Sequence, residues 1–197
     1  SQVLTPILLD QDVVFNTHAT NVPISLQDSL VNVLGILFLL ERRLNLLTMY
    51  IDLLRDSVRR VRAKRPFHID AWIVMPEHLH CIWTLPDSDT DYSSRWREIK
   101  KAFVKSLPAT ENLSSTRQAK GERGIWQRRF WEHTIRDERD YAAHMDYVHY
   151  NPVKHGLASH VSAWPHSSFH RLVARGIYSE DWGTAPSVEM EFGERAD

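Results

Sequence analysis

The sequence predicts an α+β fold in which helices pack against an antiparallel sheet, and three observations carry that expectation. Residues 41–64 repeat apolar side chains at three- and four-residue steps (Leu44, Leu47, Ile51, Leu54, Val58), with Arg and Asp between them. Residues 67–75 and 79–85 are short runs rich in β-branched and aromatic residues, broken near Pro76. Residues 93–107 return to helical spacing, with Trp96, Ile99, Phe103 and Leu107 along one side. The order strand–helix–strand–strand–helix–loop–helix favours one sheet covered by helices.

In chain order, residues 1–30 show weak periodicity and two prolines, Pro6 and Pro23, and support no assignment. Residues 31–40 are uniformly apolar and read equally as a strand or the start of a buried helix. The 41–64 helix stops before Pro66. The two runs around Pro76 read as two strands or one bent pair. Residues 86–91 form an acidic turn, and Ser93 or Ser94 caps the helix that runs to Leu107. Residues 108–124 are polar and read as a loop. Residues 137–150 form another helix, with Asn151-Pro152 near its end. Beyond Trp164-Pro165 the chain turns irregular and aromatic, then acidic.

A length of 197 residues suits one domain with a substantial core. The net charge of −1 hides an uneven distribution. Residues 1–40 hold three Asp and no Lys or Arg, residues 41–175 hold 23 Lys or Arg against 16 acids, and residues 176–197 hold one Arg against six acids. A basic body with an acidic tail suits a polyanion partner, with ordinary solvated charge as the competing reading. Cys81 is the only cysteine, which excludes an intrachain disulfide and a Cys-based zinc site. Residues 30–40 are too short to span a bilayer, and the N-terminus lacks a basic signal-peptide region. A soluble cytoplasmic protein is expected.

The most informative stretch is Met75-Pro76-Glu77-His78-Leu79-His80. On a strand, His78 and His80 share one face while Leu79 packs behind them, so two imidazoles stand side by side on a rigid element. That is two-thirds of a three-ligand metal site. A second element lies about seventy residues on. Tyr147 and Asn151 are four apart and project from one helix face. A phenol beside an amide oxygen suits a nucleophile next to a metal held by His78, His80 and Asn151. Such a metal would polarise a phosphodiester and stabilise the leaving oxygen. Two imidazoles and one oxygen admit Mg²⁺ or Mn²⁺, while affinity alone favours Zn²⁺. Either element by itself also has an ordinary structural reading.

The segments AWIVMPEHLHCIWTLP, SSRWREIKKAF, GIWQRRFWEHTIRDERDYAAHMDYVHYNPVKHGL and WPHSSFHRLVARGIYSEDWG resemble the REP-associated tyrosine transposases, domesticated relatives of the single-tyrosine HUH transposases. The resemblance runs from about residue 39 to 183, with the motifs in order. It implies an HUH sandwich of the ferredoxin-like, RRM type, with His78 and His80 as the paired histidines, Tyr147 as nucleophile and Asn151 as the helical polar ligand. It further implies a divalent cofactor, Mg²⁺ or Mn²⁺, and cleavage and rejoining of single-stranded DNA at repetitive extragenic palindromic hairpins through a 5′-phosphotyrosine. The domesticated branch tends to act as monomers.

Cations expected to grip DNA are Arg95, Arg97, Lys100 and Lys101 on the third helical segment, Arg128 and Arg129 within the aromatic stretch 126–131, and Lys154. Tyr150 is a rival nucleophile without a suitable partner at i+4. His133, His144, His149 and His155 are read as non-ligands. Two rival functions remain: a catalytically impaired descendant that only binds hairpin DNA, and a metal-dependent hydrolase with Tyr147 structural. The family's opening strand has no counterpart in residues 1–37, so the expected organisation is an atypical segment at 1–37, the transposase domain at 38–183 and an acidic tail at 184–197. An upstream frameshift would explain the abrupt start. Residues 31–40 would then serve as a substitute strand, or the fold would be weakened. The tail would fold over the site and compete with DNA.

Overall fold

The uniformly apolar run is a strand. In the computed structural model, which describes residues 33–40, 45–109, 115–120, 123–127 and 130–184, β1 (Val33–Leu39) is followed by the short α1 (Leu46–Met49) and by α2 (Ile51–Lys64). The single helix expected over 41–64 is thus two where it is described, broken at Tyr50, whose backbone leaves the helical region (φ −114°, ψ 37°). Arg65 leaves the helical region before Pro66 (φ −131°, ψ 87°), as the proline ring requires. Then come β2 (His68–Val74), β3 (His78–Thr84) and α3 (Tyr92–Ser106). The cap of α3 is Asp91, whose carboxylate accepts from the Ser94 N–H at 3.1 Å, rather than Ser93 or Ser94.

The segment expected to be a loop contains a short helix, α4 (Ser115–Lys120), and β4 (Trp131–Thr134) follows it. Next, α5 (Glu138–Lys154) runs past Asn151-Pro152 instead of ending there. Its end is set by Gly156 at φ +66°, where the Leu157 N–H bonds the Pro152 carbonyl at 2.8 Å and the Gly156 N–H bonds Val153 at 3.0 Å. The last helix, α6 (Phe169–Val173), precedes the final described residues, 174–184. No helix among the described residues is long and apolar enough to cross a membrane.

The four strands form one sheet in the order β2-β3-β1-β4, every neighbouring pair antiparallel. With α2 and α3 between the strands this is the split βαβ arrangement of ferredoxin-like folds, so the α+β expectation holds. β1 is central, between β3 and β4, and it crosses the boundary expected at residue 37. The acidic tail lies outside the described residues.

Each face of the sheet has its own core, and β3 shows why. Leu79, Cys81 and Trp83 alternate onto the face covered by α2 and α3, where they meet Leu54, Val58, Val61, Ile99 and Phe103. Ile82 lies on the opposite face with Ala71, Ile73, Met145, Val148 and Phe169, under α5 and α6. His78 and His80 share the parity of Ile82. On the first face Trp83 stacks between Phe67 and Trp96, at centroid distances of 3.9 and 4.4 Å. The outer edge of β2 is covered by the chain after α5: Val74 N–H donates to the His166 carbonyl at 2.9 Å and Trp72 N–H to Ser168 Oγ at 2.9 Å.

Candidate active site

The two elements expected to carry chemistry meet across the second face. A tight turn, closed by the Met75 N–H to the His78 carbonyl at 2.8 Å, starts β3 at His78. Register then places His80 opposite Leu37 of β1 and Ile73 of β2, in the middle of the sheet. α5 lies over this point because Tyr141, Met145 and Val148 bury its apolar stripe. The same stripe carries Tyr147, Asn151 and the turn at Lys154-His155 over the histidines. The Tyr147 ring stands 5.5 Å from the His80 ring, edge to face, and His80 is 5.4 Å from His78.

All four groups are buried: His78, His80, Tyr147 and Asn151. Burial, and the charge of His155 next to it, push the His78 imidazole down to about 4. Burial likewise holds His80 well below its usual value, with His78, His155 and Lys154 adding to the effect. Both rings are therefore neutral at pH 7, the protonation state a metal ligand needs. Burial raises the Tyr147 phenol, and the Asn151 amide pulls it part of the way back.

Asn151 is oriented by its own helix. Pro152 cannot donate to the carbonyl four residues back, and in the same turn the Asn151 Nδ2 donates to the Tyr147 carbonyl at 2.7 Å. That bond leaves Oδ1 buried with no hydrogen-bond partner among the described residues, and both ring nitrogens of His78 are in the same condition. Each such buried orphan costs about 1–3 kcal/mol. A free lone pair on each of His78 and Asn151, beside the neutral His80 ring, fits a cation bound by His78, His80 and Asn151.

Two residues that the sequence reading kept apart from the catalytic group, His155 as a non-ligand and Lys154 as a DNA contact, border it. The His155 ring lies 5.1 Å from His78, and Lys154 Nζ lies 5.2 Å from the centre of the Tyr147 ring. The signal was present, since 147, 151 and 154–155 recur at helical spacing, but Pro152 argued against extending the helix to reach them. Tyr150 points elsewhere, against Trp182 at 6.4 Å. His149 is buried, with Nε2 3.0 Å from Ser168 Oγ, and burial lowers it to about 3.

The expected DNA-gripping cations separate into three groups. Arg95 is a correction. It is 2% exposed, and its guanidinium donates to Asp89 at 2.6 Å, the Asp91 carbonyl at 2.9 Å and the Pro66 carbonyl at 2.9 Å. Its position next to Trp96 on the inner side of α3 turns it into a strut between α3 and the end of α2, away from solvent. Arg97 and Lys101 are exposed on α3, Lys100 is half-buried near Phe130, and Lys154 is exposed beside Tyr147. Arg128 and Arg129 lie outside the described residues. In the same stretch Trp126 packs on Phe103 and Phe130 on Tyr92, so these aromatics serve the first core.

On its far side α5 carries Asp146, which accepts from the Tyr178 hydroxyl at 2.7 Å. Burial pushes this carboxyl up to about 6. A folded-state value above the unfolded one, about 3.9, means the stabilisation is full below about pH 4 and lost as pH rises through 6. Asp146→Asn should therefore be more stable than the wild type at pH 8 by roughly 2–3 kcal/mol and nearly equal at pH 4. Urea unfolding at both pH values checks this; a difference independent of pH would contradict it.

A ferredoxin-like sheet with a His-x-His pair on one face, opposed by a helical tyrosine and asparagine, is the class of protein these observations define. No protein-family model matches the chain. A REP-associated tyrosine transposase of Escherichia coli K12 is 50% identical over 155 residues, covering 79% of this chain and 86% of the relative. A relative from Haemophilus influenzae bearing the same family name is 43% identical over 152 residues, covering 77% and 86%. A solved structure of a REP-associated tyrosine transposase bound to a REP hairpin is 47% identical and superposes with a TM-score of 0.68, covering 85% of this chain and 93% of that one. The chain belongs to the REP-associated tyrosine transposases.

Proposed function

We propose that this protein cleaves and rejoins single-stranded DNA at palindromic hairpins, with Tyr147 as nucleophile and a divalent ion held by His78, His80 and Asn151. The observation that carries the reading is the packing of His78 against His80 at 5.4 Å and of His80 against Tyr147 at 5.5 Å, with Asn151, one helical turn on from Tyr147, keeping a buried Oδ1 without a hydrogen-bond partner among the described residues. The hairpin substrate is supported by the solved relative, which was bound to a REP hairpin. All four residues come from one chain, which supports a monomeric working unit.

In the reaction, the Tyr147 hydroxyl oxygen attacks the scissile phosphorus and gives up its proton to solvent, from which the departing O3′ takes one. The phosphorus–O3′ bond breaks, leaving a 5′-phosphotyrosine and a free 3′-hydroxyl. Attack by a 3′-hydroxyl on the phosphotyrosine reverses the chemistry and releases the phenol. One phosphodiester is exchanged for another, so no external energy source is required. A bound Mg²⁺ or Mn²⁺ supplies Lewis-acid stabilisation of charge on the phosphate and the leaving oxygen. His78 and His80 serve as neutral ligands because burial keeps them deprotonated. Asn151 turns Oδ1 inward because its Nδ2 is tied to the helix. Lys154, beside the Tyr147 ring, favours the phenolate that develops on attack.

The test is cleavage of a labelled single-stranded palindrome with a 5′ single-stranded foot, in Mn²⁺ or Mg²⁺, with His80→Ala as the comparison. Wild-type cleavage that chelation abolishes and His80→Ala reduces at least about a hundredfold is expected. Tight hairpin binding without cleavage by the wild type would mark a protein that only holds DNA.

A further inference from the structure

A second group of ligand-type side chains lies where β4 meets α5, outside the site described above. Among the described residues, His133, Asp140 and His144 each offer one ligand atom, all within 4.8 Å of one another. His133 Nε2 is 2.8 Å from Asp140 Oδ2, and His144 Nδ1 is 3.0 Å from Asp140 Oδ1 and 2.8 Å from the Asp140 carbonyl. The two imidazoles are parallel, 4.5 Å apart and 6° from coplanar, with Trp131 continuing the stack at 5.7 Å from His133. We propose that His133, Asp140 and His144 form a separate divalent-cation site that takes a borderline ion of the Zn²⁺ or Co²⁺ kind.

The geometry suits such an ion. Ligands at 2.0–2.1 Å from a tetrahedral Zn²⁺ stand about 3.3 Å from one another, close to the 2.8 and 3.0 Å between Asp140 and the two imidazoles, and one of the stacked rings turns out of parallel to aim its lone pair at the shared ion. Ring protons fill the gaps without an ion, and the ion replaces them as it binds. Two imidazoles and one carboxylate make a donor set of the kind Zn²⁺ accepts, with a fourth position left for water. All three side chains are only partly buried, so an ion can reach them.

An outer shell is in place. The Arg136 backbone N–H donates to Asp140 Oδ2 at 3.0 Å, and its guanidinium Nε lies 3.3 Å from the same oxygen. Burial pushes the Asp140 carboxyl up, but the His133 and Arg136 hydrogen bonds outweigh it and keep the group below its ordinary value. Burial also lowers His144, favouring the neutral ring. Room for His144 comes from Gly35 on β1, where a Cβ would stand 3.4 Å from His144 Cδ2.

This site is distinct from the His78–His80 pair yet linked to it. A small cavity of about 10 Å³ is bordered by His144 and Trp131 as well as by His80 and Tyr147. An ion here would tie the edge strand β4 to α5 less than one turn before Tyr147. Its role is to hold that helix on the sheet, independent of whether Tyr147 is the nucleophile.

The experiment titrates untagged, metal-stripped full-length protein with Co²⁺ by calorimetry and visible absorption. In His78→Ala/His80→Ala, where the first pair is gone, one Co²⁺ per chain should still bind, with the intense absorption of a tetrahedral nitrogen–oxygen site. Adding His133→Gln to that background should weaken binding at least about tenfold. His133 sits at the rim of the sheet rather than in either core, and circular dichroism checks that the variant folds. The absorption readout stands without the third substitution. A folded double variant that binds no Co²⁺, that shows only the weak spectrum of the hydrated ion, or whose binding is indifferent to His133→Gln would overturn the proposal.

Discussion

Tyr147→Phe should abolish strand cleavage while leaving the protein folded and able to hold its DNA. The ring keeps its edge-to-face contact with His80 and its place under Lys154, so only the hydroxyl and its interaction with Asn151 are lost. Stability should fall by no more than about 1.5 kcal/mol, the net worth of one hydrogen bond. Cleavage should fall by more than about a thousandfold, roughly 4 kcal/mol of transition-state stabilisation, because the phenyl ring offers no nucleophilic atom. Tyr150 cannot substitute, since its ring lies against Trp182. A variant retaining a tenth or more of wild-type cleavage would assign the nucleophile elsewhere, and a water-based hydrolase would then be the better reading.

The largest effect on stability should come from Trp83→Ala. Trp83 is fully buried on β3 and forms the middle of a stack, with Phe67 on one side and Trp96 on the other. Truncation removes a large apolar side chain and separates the partners it joins, which belong to the β2 approach and to α3. A loss of about 3–5 kcal/mol is expected in urea unfolding, enough to unfold a marginal domain. His78 and His80 alternate with the side chains that this core holds in place, so hairpin cleavage should fail at temperatures where the wild type still works. A loss under about 1 kcal/mol would mean that the stack contributes little to the sheet.

Alternation along residues 78–84 was legible because β3 obeys the period-2 rule without interruption: Leu79, Cys81 and Trp83 on one core, Ile82 on the other, and the histidines with Ile82. The four-residue spacing of Tyr147 and Asn151 was legible for the matching helical reason. What local pattern could not supply was partner information. Residues 33–39 are apolar throughout because β1 is central and both its faces are covered, and such a run carries no period to separate strand from helix. The four residues of β4 alternate between half-buried and exposed at the sheet edge, a signal too brief to stand out.

Pro152 argued for a helix end, whereas Gly156 in fact sets it. A proline tolerated inside a buried helix depends on the tertiary contacts of α5, which local propensity does not contain. Arg95 was misplaced for a similar reason. Its side chain faces Asp89 and the carbonyls at the end of α2, groups that only the packing of α3 brings near. Spacing likewise separates His133 from Asp140 and His144, and only the pairing of β4 with β1 beside α5 unites them.

The most direct test of the central claim is to map the protein–DNA bond itself. Wild-type protein would be incubated with single-stranded palindromic DNA and Mn²⁺, trapped in denaturant, digested with nuclease and protease, and analysed by peptide mass spectrometry. A nucleotide-bearing phosphotyrosine at Tyr147, formed only with metal and absent from Tyr147→Phe, is expected. A nucleotide on Tyr150, or efficient cleavage with no covalent peptide, would contradict it.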